Sequence, residues 1–128
     1  DILIVAEPDL ANLRNAKNLV DLLRQQRTND LPARLIINKS NLAKRPEIKV
    51  DDFATALNLK PLVVVPFDAQ LFGTAANNGQ MIAETDAKSP ITAAFDLIAR
   101  TVTGRAEVKR QKASMLGSLF KRRGKKAA

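Results

Sequence analysis

The chain has 128 residues, 45% of them hydrophobic, and a formal net charge of +8. It contains neither Cys nor His, which excludes disulfides, thiolate metal sites, histidine general bases and serine–histidine triads within this chain. The charge is segregated: residues 1–104 hold 12 Lys/Arg and 12 Asp/Glu, whereas residues 105–128 hold 9 Lys/Arg and one acid, Glu107.

Two segments follow from that division, a neutral body over 1–104 and a basic tail over 105–128. Ile2–Ala6 is a short apolar run that ends at Glu7-Pro8-Asp9 and predicts a buried strand. From Asp9 to Gln26, Leu10, Leu13, Ala16, Val20 and Leu23 recur at helical spacing, supported by Leu19 and Leu22, with Arg14, Lys17, Asp21 and Arg24 on the other face. Ala33–Ile37 predicts a second strand, ending at Asn38-Lys39. A strand, helix and strand joined by short loops form a βαβ unit and hence a parallel pair. Asn41–Lys49 is polar, contains Pro46 and predicts a surface loop. Asp51 is expected to cap a short helix over Asp52–Leu57, with Phe53, Ala56 and Leu57 inward and Asn58 as its left-handed terminus.

The run Leu62–Val65 is β-branched and too short for a helix, so it predicts a strand buried on both faces, stopped by Pro66. Phe67-Asp68 turns the chain into a long structured loop that turns again at Asn77-Asn78-Gly79. Ser89-Pro90 starts a helix whose apolar stripe is Ile91, Ala94, Phe95, Ile98, Ala99 and Val102, and Gly104 closes it. Strands alternate with helices, so the class is α/β. A three-stranded sheet would leave a buried-type strand at its edge, which predicts a companion half supplied by a partner or by a preceding segment.

No apolar run reaches the roughly 20 residues of a membrane-spanning helix, and the first residues lack a signal-peptide charge pattern. None of the five glycines, Gly73, Gly79, Gly104, Gly117 and Gly124, lies in a phosphate-binding fingerprint. In an open parallel sheet, ligands bind beyond the carboxyl ends of the strands. Glu7-Pro8, Asn38-Lys39 and Pro66-Phe67-Asp68 would share that edge. The Asn38 amide has donor and acceptor groups that suit the edge of a purine. The alternative is that Asn38 caps a turn after its strand.

Three phrases, AEPDLANLRNAKNLVDLLR, KRPEIK and PFDAQLFGTAANNGQMIAE, carry a resemblance. The body resembles the C-terminal half of the MinD/ParA group of P-loop ATPases, with a doubly wound, mostly parallel sheet, and within that group the CpaE (TadZ) branch of Flp pilus and Tad secretion assembly proteins. The resemblance implies that Asn38 and Lys39 lie at the adenine of a bound ATP and that Pro66, Phe67 and Asp68 form the opposite wall. It places Glu7–Asp9 and the following helix near a homodimer face. The group's phosphate-loop lysine and Mg²⁺-binding aspartates belong to a half that precedes this region, so this chain alone is not expected to catalyse. The intact protein stays open to weak ATPase activity.

The tail, EVKRQKASMLGSLFKRRGKK, permits a helix from Ala106 to Arg122. Met115, Leu116, Leu119 and Phe120 cluster on one side, with Lys121, Arg122 and Arg123 beside them, the pattern of an interfacial membrane helix. MinD-type proteins carry a C-terminal membrane-targeting helix, so the resemblance implies a cytoplasmic protein peripheral to the inner membrane, at a cell pole in one version, with pilus or secretion machinery as partners. Three other readings stand: a solvated tail, a ParA-like DNA-partitioning protein whose tail binds nucleic acid non-specifically, and an inert interaction module. Nucleic acid is the less favoured, because Phe120 is the tail's only aromatic residue.

Overall fold

The computed structural model describes residues 1–105. The elements run β1 (Leu3–Ala6), α1 (Leu10–Gln26), β2 (Arg34–Ser40), α2 (Val50–Leu57), β3 (Pro61–Pro66), α3 (Ala69–Asn78), α4 (Ile82–Thr85) and α5 (Pro90–Thr103). The strands form one parallel sheet in the order β1-β2-β3. Two cores lie on its two faces. Leu35 and Ile37 of β2 pack with Ile4, Ala6, Ala16, Val20, Phe53 and Leu57 under α1 and α2. Ile36 points to the opposite face and packs with Val63, Val65 and Ile91. Successive strand side chains alternate between faces, so only the central strand is apolar on both.

That strand is β2, not β3. Val63 and Val65 are buried, but Val64 between them is 38% exposed. The sheet order puts β3 at an edge, where one of its faces is only partly covered. At the other edge, Val5 of β1 is 59% exposed.

Asp9 lies just outside α1 and caps it, accepting the backbone N–H of Asn12 at 2.8 Å. Ala16 and Val20 are buried beneath it, while Leu10, Leu19 and Leu22 face out. In α2, Lys49 rather than Asp51 holds the cap position and offers no side-chain hydrogen bond. Asp51 and Asp52 instead lie in the first turn, where a carboxylate is favoured by the partial positive charge of the helix start. Phe53 and Leu57 face inward, Ala56 faces out, and Asn58 is left-handed with φ 49°.

The expected loop after β3 is a helix. Asp68 accepts the N–H of Leu71 at 2.8 Å and caps α3, and Gly79, at φ 63°, ends it. Leu71, Phe72 and Ala75 provide the apolar side at spacings of one, three and four. In α5, Ser89 caps at 3.1 Å through the Ile91 N–H, and Gly104 closes the helix at φ 64°. Ile91, Ala94 and Ile98 pack inward. Phe95 and Val102 do not: they are 45% and 41% exposed, and Ala99 is exposed as well. A single layer of sheet meets only the middle of a wide apolar stripe. The tail helix and its candidate residues Met115, Leu116, Leu119, Phe120, Lys121, Arg122 and Arg123 lie outside the described residues.

Candidate functional site

Because all three strands are parallel, their carboxyl ends emerge together. The edge carries Glu7-Pro8-Asp9, Asn38-Lys39-Ser40 and Pro66-Phe67-Asp68. Asn38 and Lys39 lie inside β2, not past its end. Ile37 pairs with Val64 and Ser40 with Pro66, so β2 spends one more residue than β3 over that interval. This is a β-bulge. Lys39 is its left-handed residue, with φ 51°. Ser40 then rejoins β3: its carbonyl accepts the Phe67 N–H at 2.7 Å, and the residue is 4% exposed.

The Asn38 side chain is partly buried and makes no hydrogen bond to the described residues. It does not cap a turn. Its amide therefore has both donor and acceptor capacity at the edge. Phe67, bonded to Ser40 just past the end of β3, is 41% exposed on the same edge. Pro66 ends β3 and is half-buried. The Asp68 carboxylate is committed to capping α3, so only its backbone is available as a wall. The Lys39 ammonium is committed too, donating to Glu7 at 2.8 Å. The edge thus has chemistry that fits a base, with an amide and an exposed ring. Among the described residues it has no acidic cluster suited to a metal ion.

Sequence reasoning missed what holds this edge. The segment Asn41–Lys49 is the surface loop expected, and specific hydrogen bonds hold it. Glu47 accepts the N–H groups of Asn41 and Leu42, both at 2.9 Å. The Ile48 N–H reaches Pro8 O at 2.8 Å, and Pro8 is fully buried. Arg45 bonds Glu7, the Lys39 carbonyl (2.7 Å) and Glu47 (3.2 Å). The available signal was the set of charges Glu7, Lys39, Arg45 and Glu47 at or after the carboxyl ends of two strands.

Hydrogen bonds from Lys39 and then Arg45 hold the Glu7 carboxyl below its ordinary 4.5. The Asn41 and Leu42 N–H groups do the same for Glu47, and the Asn12 N–H lowers Asp9 from 3.8. A carboxyl with a lowered native pKa stabilises the fold fully above its unfolded value, and that stability is lost as pH falls through the native value. Between pH 7 and about 5 the network should hold. Below the ordinary 4.5 of Glu7 and Glu47 it should loosen progressively. Hydrogen exchange at Asn41 and Leu42 checks this; protection that is flat down to pH 3 would contradict it.

A cavity of about 630 Å³ lies at the opposite end of the sheet, lined in part by Ile2, Val20, Leu23, Ala33 and Leu59. Its arginines are occupied: Arg24 bonds the Leu57 and Asn58 carbonyls and Arg27 bonds Asp30. It has no connection to the strand-end site.

No family model matches the chain, and no curated protein sequence matches it. Solved structures do match. The fold is similar to the MinD cell division protein of Aquifex aeolicus (24% identity, TM-score 0.61, 82% of this chain and 44% of that one). It is also similar to a ParA family ATPase from Chlorobium tepidum TLS (20%, 0.57, 78% and 39%). The MinC:MinD cell division protein complex of Aquifex aeolicus matches as well (22%, 0.62, 82% and 43%). The chain thus has a MinD/ParA-like α/β fold and spans less than half the length of each of these chains.

Proposed function

We propose that this chain is the C-terminal part of a MinD/ParA-type nucleotide-binding domain and that its strand ends form the adenine side of an ATP site. The observation that carries the reading is the uncommitted Asn38 amide, on the same carboxyl edge as the exposed Phe67, in a sheet whose fold is MinD/ParA-like. Asn38 would pair with the base, and Pro66, Phe67 and the Asp68 backbone would face it. A further segment, lying along the β1 edge and covering Val5, would hold the phosphates and Mg²⁺. Bound ATP would supply the means of dimerisation; the residues of this chain bind and orient the base and do not move a phosphoryl group.

The biological role we infer is that of a CpaE-like (TadZ-like) assembly and positioning factor for Flp pili or Tad secretion, working as a homodimer at the inner membrane. Its support is the three phrases over Ala6–Arg24, Lys44–Lys49 and Pro66–Glu84, together with the confinement of the net charge to the tail. The tail's charge also favours a second reading, a ParA-like DNA-partitioning protein.

Asn38→Ala in the intact gene product is expected to weaken ADP binding about tenfold, the cost of leaving a base edge unpaired. Isothermal titration measures it. Unchanged affinity would remove Asn38 from the site.

A further inference from the structure

A left-handed conformation at a residue other than glycine persists only where its surroundings hold it. Lys39 has φ 51° in the bulge that carries Asn38. Both ends of Lys39 are gripped. Arg45 Nη2 donates to the Lys39 carbonyl at 2.7 Å, and the Lys39 ammonium donates to Glu7 at 2.8 Å. The second Arg45 nitrogen, Nη1, bonds the same Glu7 carboxylate. Glu47 completes the fork by accepting from Nη2 at 3.2 Å. Arg45 Nε is buried without an acceptor. The Arg45 guanidinium is largely withdrawn from solvent, its side chain 20% exposed. Its planar fork can hold a carboxylate and a carbonyl in fixed relation, which a lysine ammonium cannot.

Resting on the adenine reading above, we propose that Arg45 is a positioning residue: it locks Lys39 left-handed and so aims the Asn38 amide at the base. Arg45 need not touch the nucleotide. Without it, Lys39 relaxes toward extended backbone, β2 loses its bulge, and Ser40 slips from its pairing with Pro66.

The test uses glycine, which adopts positive φ without steric cost. Arg45→Met in the intact protein is expected to weaken ADP binding about tenfold, as removal of the Asn38 contact would. Arg45→Lys, which keeps the charge and loses the fork, should behave similarly. Adding Lys39→Gly to Arg45→Met should restore affinity to within about threefold, because glycine holds the bulge unaided. Unchanged affinity in Arg45→Met, or failure of Lys39→Gly to rescue it, would overturn the proposal. A crystal structure of the Arg45→Met chain reads the Lys39 φ directly, without nucleotide. Retention of φ near 51° there would overturn it as well. If Asn38→Ala leaves ADP binding intact while Arg45→Met straightens Lys39, the adenine reading fails and the clamp on β2 stands.

Discussion

Phe53→Ala should cost the chain about 3–5 kcal/mol, a large share of the roughly 5–15 kcal/mol that holds a domain of ordinary size together. Phe53 is 0% exposed and packs with Leu35, Ile37 and Leu57 between α2 and the sheet. Its removal takes away the largest fully buried side chain among the described residues and leaves a cavity in a thin layer. Phe95→Ala is the matched control. By spacing, both phenylalanines belong to apolar helix faces, but Phe95 is 45% exposed. Its loss should cost well under about 1 kcal/mol. Urea unfolding separates them: with an m-value of about 1–3 kcal/mol per molar, the Phe53 variant should shift its midpoint by at least 1 M. Equal midpoints for the two variants would contradict the packing described above.

Deleting residues 105–128 should abolish binding to anionic vesicles. The deletion removes 9 Lys/Arg and one acid and leaves a body with 12 of each sign. Each cation near an anionic leaflet contributes about 1 kcal/mol, so about five engaged cations account for more than a thousandfold in affinity. No described helix is long and apolar enough to cross a membrane. Co-sedimentation with vesicles containing phosphatidylserine at low and high salt measures it. If the deleted protein still binds, the tail is not the anchor. If instead the full chain binds duplex DNA with a steep salt dependence and ignores vesicles, the partitioning reading prevails.

Much of the fold was legible because its signals are local. The Ser89-Pro90 start and Gly104 end of α5, the start of α1 near Asp9 and the left-handed Asn58 each depend on a few neighbouring residues. So did the three strands and their shared carboxyl edge, since strand–helix–strand order with short connections permits little else. Helix α3 was hidden because its ten residues include Gly73 and end in Asn77-Asn78, with Gly79 next, which imitate a loop. The candidate Asn38 was visible as a residue type at a strand end. Its free amide was not, because that is a statement about what fails to approach it.

By itself, the sequence determined the α/β class, the order of the three strands with α1, α2 and α5, the neutral body and the basic tail. These follow from periodicity and from counting charges. Only the tertiary structure decided that β2 is the central strand, that Phe95 and Val102 face outward, and that Glu7, Lys39, Arg45 and Glu47 meet. Burial depends on which element lies across a face. Glu7 and Arg45 are 38 positions apart in the chain, and parallel pairing of β1 with β2 is what closes that distance.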